Sequence, residues 1–373
     1  MEKQINTRQA CLILVIFTIA LKLSVLPAMI ADYVDKNMYI VCLIAMILDF
    51  ICNLTIIFVI KKLPSKTFFD LIKETLSKPV AIIIYILMTI YFVIKATIAL
   101  LELHDYYITS LFEDINPLFF LLTLTLLLLY LFGKSYRNIG RSLQVLFWPL
   151  FIGLSFTLIY PLSDVELTNL FPIFQDGSHS ILNGILHTNI GFGDFIILLL
   201  LMGNISVKKK TPKALILYSL GAIQFVFSFY MIFQGAFGST AVNKTLALSE
   251  LPLHNPYPAS IGRLEWLTII IWTIILLIQV GILGVCASKC FSTIFKAYDR
   301  QYPSVVITFT IIGFIIATYL KLYNVIELAT STAFSIITIS FHTLLIVILI
   351  ITFIVYSSKN KRLKFNEKIF NKN

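Results

Sequence analysis

Charge is what this sequence has least of. Only 13% of its 373 residues are Asp, Glu, Lys or Arg, against 58% that are hydrophobic, and the mean hydropathy is +0.91. Water-soluble domains run nearer ~25% charged and ~45–50% apolar. So few charges cannot cover that much apolar surface, which excludes a soluble protein. A polar stretch long enough to form a separate domain is also missing, so the length suits one polytopic membrane domain over 1–373. The opening "MEKQINTRQA" is followed by no small-residue cleavage site. The apolar run after it, roughly 23 residues, is too long for the core of a signal peptide and reads as a retained first helix.

Catalytic and metal motifs are equally scarce. There is no Walker A sequence, no G-x-S-x-G elbow, no H-E-x-x-H and no pair of soluble carboxylates. An ATP-driven pump or an intramembrane hydrolase would therefore lack its machinery, and the expectation is a non-enzyme without cofactor. The five cysteines (Cys11, Cys42, Cys52, Cys286, Cys290) lie in or at the ends of apolar runs. Cys286 and Cys290 are one helical turn apart, but no neighbouring Cys or His completes a zinc set, so they read as packing residues. The net charge of +10 could suggest nucleic acid. Its distribution excludes that, because the basic residues sit in short loops without aromatic interleaving or any nucleic-acid motif.

What is present is a series of ten apolar runs long enough to cross a bilayer: 9–31, 38–61, 79–103, 116–133, 141–160, 182–203, 212–238, 261–289, 303–321 and 331–357. The connectors alternate. The N-terminal tail and the segments 61–78, 134–141, 208–213, 289–300 and 359–373 hold most of the 29 basic residues. The opposite set carries Asp105, Glu113, Asp114, Asp164, Glu166 and Asp176 instead. By the positive-inside rule both termini are cytoplasmic, as an even number of helices requires. The segment "KKLPSKTFFDLIKETLSK" (61–78) is amphipathic through Phe68, Phe69, Leu71 and Ile72 and reads as lying along the interface. The basic tail 358–373 anchors orientation, or binds anionic lipid or a partner.

Ten helices split into two sets of five, and an odd number per set makes the second set enter from the opposite side. The predicted fold class is therefore an all-α integral membrane protein with a 5+5 inverted repeat (LeuT-like), repeat one over about 9–160 and repeat two over about 182–357. Such folds interrupt the first helix of each repeat near the midplane and bind there. Both corresponding helices carry breakers beside a charge. The first, with "FTIALKLSVLPAMI" (17–30), holds Lys22, Ser24 and Pro27. The sixth, "NGILHTNIGFGDFIILLLLMG" (183–203), holds Thr188, Asn189, Gly191, Gly193 and Asp194.

A charge at the bilayer centre costs about 2.5–3.5 kcal/mol, so such residues face the bundle interior and are functional by default. Lys22 lies about nine residues, roughly 13 Å, from the outer end of its span, beyond what snorkelling can rescue. Asp49, Lys95 and Asp194 fall at a similar depth, giving one layer with two charges of each sign. Glu102, above Lys95, is expected at the outer interface. Asp49 reads as a buried partner of a lysine, tying helices together. Lys22 and Asp194, on the interrupted helices, are candidates for a ligand site. An ammonium there could hold a ligand carboxylate, occupy the place of a coupling sodium, or carry a proton once burial lowers its pKa. His187 and His342 read as buried structural histidines.

Several stretches together resemble the B-subunits of spore-germination receptors, ten-helix relatives of the amino acid–polyamine–organocation transporters. "SIGRLEWLTIIIW" (260–272) is similar to that family's E-R-x-E…W signature through Arg263, Glu265 and Trp272, with Gly262 in place of its first acidic residue. "FPIFQDGSHSIL" (171–182), "SVKKKTPKA" (206–214), the Leu26–Pro27 pair and Asp194 in the place of a glutamate also match. Where relatives keep a Gly-x-Gly before the proline, this chain has Ala20 and Lys22, and the proline that ends their sixth helix is missing near Met202 and Gly203. The resemblance implies a permease-like subunit of the spore inner membrane that binds a small nutrient, such as an amino acid, between helices 1, 3, 6 and 8. It further implies a relay to an A-subunit and a lipoprotein C-subunit. The implied ligand contacts are Ala20, Lys22, Ser24, Lys95, Thr188, Gly191, Gly193 and Asp194, with Pro27, Asp49, Arg263, Glu265 and Trp272 structural or gating. An autonomous proton- or sodium-coupled amino-acid transporter is the alternative.

Overall fold

The computed structural model describes residues 4–23, 26–34, 36–110, 117–174, 177–244, 246–251, 264–295, 301–321, 328 and 331–370, leaving aside the side chains of 108–110, 117–122, 249, 264–266 and 360–370. The described chain is helical, apart from an isolated bridge between Ile5 and Ile205. In chain order the α-helices are α1 (Thr7–Ala20), α2 (Leu26–Ala31), α3 (Met38–Lys62), α4 (Phe68–Thr75), α5 (Lys78–Ser110), α6 (Pro117–Phe132) and α7 (Tyr136–Ile159). They continue with α8 (Gly177–His187), α9 (Phe195–Leu201), α10 (Thr211–Phe237), α11 (Ala247–Glu250), α12 (Leu264–Phe295), α13 (Gln301–Tyr319) and α14 (Thr332–Phe370).

Among the described residues, seven helices are long and apolar enough to cross a membrane: those containing α3, α5, α7, α10, α12, α13 and α14. Gly177–His187 and Asn189–Leu201 pass the same test as a pair bent by 56°, which makes up to eight spans. Two of the ten expected spans come out shorter. The first stops at Ala20 because the chain turns over residues 21–23, and α6 covers 16 residues, Pro117–Phe132. The outer faces are apolar, with Leu48, Ile51, Phe58, Val145, Trp148 and Ile152 all about half exposed or more. A surface of that kind suits lipid and not water.

The interrupted helices form the core. In α1 every residue from Gln9 to Ala20 is buried, and in α9 all seven are. A helix apolar on all sides belongs inside a bundle. Around them α10 packs against α1 and α3, α7 against α1, and α12 along α5. The start of α1 is fixed by a capping box: the Asn6 side chain accepts from the Gln9 N–H at 2.8 Å, and the Gln9 side chain accepts from the Asn6 N–H at 3.1 Å. Backbone bonds from the Ile5 N–H to the Asn204 carbonyl and from the Ser206 N–H to the Ile5 carbonyl, both 2.9 Å, tie this end to the chain leaving α9.

Two expectations are corrected. The apolar face of α4 is turned into the protein and not toward lipid: Phe68, Leu71 and Ile72 are fully buried, and α4 packs on α5 and α14. Glu102 is likewise inside the bundle, 6% exposed.

Candidate functional site

The first interruption falls at Lys22 itself and not at Pro27. After Ala20 the chain turns over 21–23, the Lys22 N–H reaching back to the Ile19 carbonyl at 3.2 Å. Pro27 stands in the first turn of α2, where its missing N–H costs nothing. The second interruption runs from Thr188 to Asp194: a 3-10 turn over Asn189–Gly191, then Phe192 and Gly193, with Asp194 at the head of α9. Gly193 has φ +81°, and a Cβ there would lie 2.3 Å from the His342 ring and 2.8 Å from the Tyr91 hydroxyl. Only glycine fits this bend.

The two interruptions and two unbroken helices bring the four predicted charges together. Lys22 donates to Asp194 Oδ2, and Lys95 from α5 lies 3.4 Å from Oδ1 of the same carboxylate. Lys95 also donates to the Phe192 carbonyl at 2.8 Å and to the Tyr91 hydroxyl at 3.2 Å, and Tyr91 donates to the same carbonyl at 3.1 Å. Asp49 from α3 accepts the Gly193 N–H at 2.9 and 3.1 Å on its two oxygens, and the Asp194 N–H at 3.4 Å. The ammonium groups also face aromatic rings, Lys22 at 5.2 Å from the centroid of Phe192 and Lys95 at 5.2 Å from that of Phe17. Lys22, Lys95 and Asp194 are at most 2% exposed.

Buried ions persist only when their charges and remaining hydrogen-bond positions are met. Here the backbone freed by the second interruption meets part of that need. The Phe192 carbonyl, which no helix uses, takes Lys95, and the Gly193 and Asp194 N–H groups take Asp49. The charges and the interruption therefore stabilise each other. A cavity of about 10 Å³, lined by Thr18, Lys22, Asp49, Asn53, Asp194 and Ser219 among others, adjoins the cluster and has room for one water.

The other predicted positions divide. Ala20 is buried at the end of α1. Thr188 is buried, but its hydroxyl donates to the Gly184 carbonyl at 2.5 Å and so closes α8. Gly191 packs against Leu26, which a Cβ would meet at 2.6 Å. Trp272 is fully buried in α12. Ser24, Arg263 and the Glu265 side chain lie outside the described residues. His187 stacks on Tyr33, ring centroids 4.7 Å apart. Tyr91 and the Phe192 carbonyl were not anticipated. Tyr91 was findable, since it stands four residues before Lys95 and shares its helix face; the carbonyl leaves no sequence signal.

The sequence as a whole has counterparts among known proteins. The family model described as "Spore germination protein" (Spore_permease) matches residues 4–326. Spore germination protein YndE of Bacillus subtilis (strain 168) is 23% identical over 231 residues, 61% of this chain and 62% of that protein. The match thus spans a little under two thirds of this relative's length. Since the family model covers most of the chain, including both interruptions and all four charges, the chain belongs to the spore germination protein family.

Proposed function

We propose that this protein is the B-type subunit of a nutrient-germinant receptor in the spore inner membrane. It binds a small nutrient, most plainly an amino acid, where the two interruptions meet, and passes occupancy to an A-subunit and a lipoprotein C-subunit. The observation that carries this reading is the cluster of buried Lys22, Lys95 and Asp194 with half-buried Asp49 at two interrupted helices, in a member of the spore germination protein family. Ten spans in a 5+5 inverted repeat with both termini cytoplasmic complete the picture. The seven long helices and the bent pair, joined by the shorter α1 and α6, support that count.

The cluster explains how binding could be read out. Its charges pair with one another, and the cavity that Lys22 and Asp194 line has room for one water only, so around that pair this geometry is a self-satisfied closed state. A zwitterion brings one charge of each sign to a cluster holding two of each. It can take Lys22 from Asp194 with its carboxylate and offer its own ammonium to Asp194, leaving no net charge. Such an exchange moves the interruptions relative to each other, and a ligand that favours the moved state shifts the population toward it. Transport would require release on the far side in addition.

Two measurements test the reading. Ligand-dependent thermal shifts of the purified chain against amino acids, sugars and nucleosides should single out a nutrient that also triggers germination. Reconstituted alone in liposomes, the chain should show no concentrative amino-acid uptake; robust uptake driven by a proton or sodium gradient would establish the autonomous transporter instead.

A further inference from the structure

Asp49 lines a second and much larger cavity, of about 340 Å³. Its walls come from α3, α14 and the segment around the second interruption, and they are predominantly apolar. Leu48, Ile51 and Val347 belong to them and are about half exposed (53%, 53% and 45%). The cavity therefore opens sideways between α3 and α14 onto the apolar outer face. Neither lysine of the cluster is among its lining residues.

Two polar side chains in this wall are unexplained by anything described above. Asn189 Nδ2 and His342 Nε2 are buried and have no hydrogen-bond partner among the described residues, their residues being 8% and 9% exposed. The imidazole is held edge-on between Tyr91 and Phe195, ring centroids 5.5 Å away in each case. Orphaned buried polar atoms are rare in folded proteins and call for a partner. A volume of this size, mostly apolar with a few convergent polar groups, has the character of a small-molecule site.

We propose that this cavity is a second ligand site, which takes a neutral, mainly apolar small molecule bearing one hydroxyl or amide group. Charge selects the class. The four charges of the cluster already sum to zero, so a net charge added beside them would lack a counterion. A zwitterion fails too, because its carboxylate would meet no cation in the wall. The neutral polar group of the occupant donates to Asp49 while its apolar body fills the rest, and the Asn189 amide and His342 imidazole, whose orphaned nitrogens are buried in the wall, turn to meet that same polar group. Since Asp49 also holds the Gly193 N–H, the occupant touches the carboxylate that fixes the second interruption. This site goes beyond the nutrient-receptor reading and does not depend on it.

The test uses the full chain in nanodiscs of zwitterionic lipid, with cyclohexylmethanol as probe, methylcyclohexane as its hydrocarbon counterpart, and leucine. Cyclohexylmethanol should give a saturable thermal shift, with methylcyclohexane at least tenfold weaker. The single variants Asn189→Leu and His342→Leu, which replace an orphaned polar atom by apolar volume, should melt no lower than wild type without probe and bind the alcohol at least tenfold more weakly. Ala45→Phe should remove binding of both compounds by filling the cavity; if it does not fold, the two leucine variants still decide. Equal affinity in wild type and both leucine variants, a shift that never saturates, or displacement of the alcohol by leucine would each overturn the proposal. No germination response enters the assay, so its failure leaves the receptor reading untouched.

Discussion

Asp194 accepts from two ammonium groups at once, and that asymmetry ranks the charge substitutions. Removing one partner of a buried pair costs about 3–5 kcal/mol. Lys22→Met leaves Asp194 with Lys95 and should fall near the low end of that range. Asp194→Asn leaves two ammoniums facing only Asp49 and should fall near the high end. The double variant Lys22→Met/Asp194→Asn retains one charge of each sign, so it should be more stable than the sum of the singles by at least ~1.5 kcal/mol. Melting of the detergent-purified proteins measures this, and strict additivity would show that the pair is not coupled. All three variants should lose the nutrient response where they still accumulate in the membrane. Lys22, Asp49, Lys95 and Asp194 were legible in the sequence because a charge inside an apolar run has few tolerable fates. Their partners were less so: the Phe192 carbonyl becomes an acceptor only because the helix stops there.

The same logic extends to the elements, where glycines separate bend from packing. Gly193→Ala must place a side chain at φ +81° and into the His342 ring. The backbone term is about 1–2 kcal/mol and overpacking adds about 1–3, so a loss of roughly 2–5 kcal/mol in thermal stability is expected. Gly221→Ala is the internal control. It sits in α10 with nothing within 4 Å of the added methyl and should be neutral or gain up to about 1 kcal/mol. Equal effects of the two would mean that the bend carries no constraint. For α4 the discriminating change is Phe68→Ala, expected to cost about 3–5 kcal/mol because the ring is wholly inside the protein. A change of a few tenths would return α4 to the interface. Amphipathicity located this helix correctly, yet periodicity alone cannot say whether an apolar face meets lipid or the long helices α5 and α14.

For the molecule as a whole, the charge pattern of the connectors makes a topological prediction. In a cysteine-free background, Asp164→Cys should react with a membrane-impermeant maleimide in intact cells. Pro64→Cys and Lys209→Cys should react only after permeabilisation, as the positive-inside rule requires. Labelling of positions 64 and 164 from the same side would break the inverted arrangement. Among the described residues seven helices, or eight with the bent pair, are long and apolar enough to span, and the first apolar run shows what a linear count leaves out. Hydropathy reads 9–31 as one continuous run, whereas the chain turns at 21–23 and divides it. Hydropathy sums side chains and is blind to where the backbone stops making its own hydrogen bonds.

By itself the sequence determined the class of the protein, an all-helical membrane chain. It also marked which charges lie inside and which two helices are interrupted, because these follow from the cost of leaving polar groups in an apolar medium. Only the tertiary structure decided that the first interruption falls at Lys22, and that one carboxylate serves two lysines. It alone joined Asp49 to the backbone of a segment 144 residues away and opened the cavity beside it. Those features depend on how distant segments meet. A hydrogen bond between a side chain and a carbonyl or N–H freed by a break carries no period, spacing or composition that a linear reading can detect.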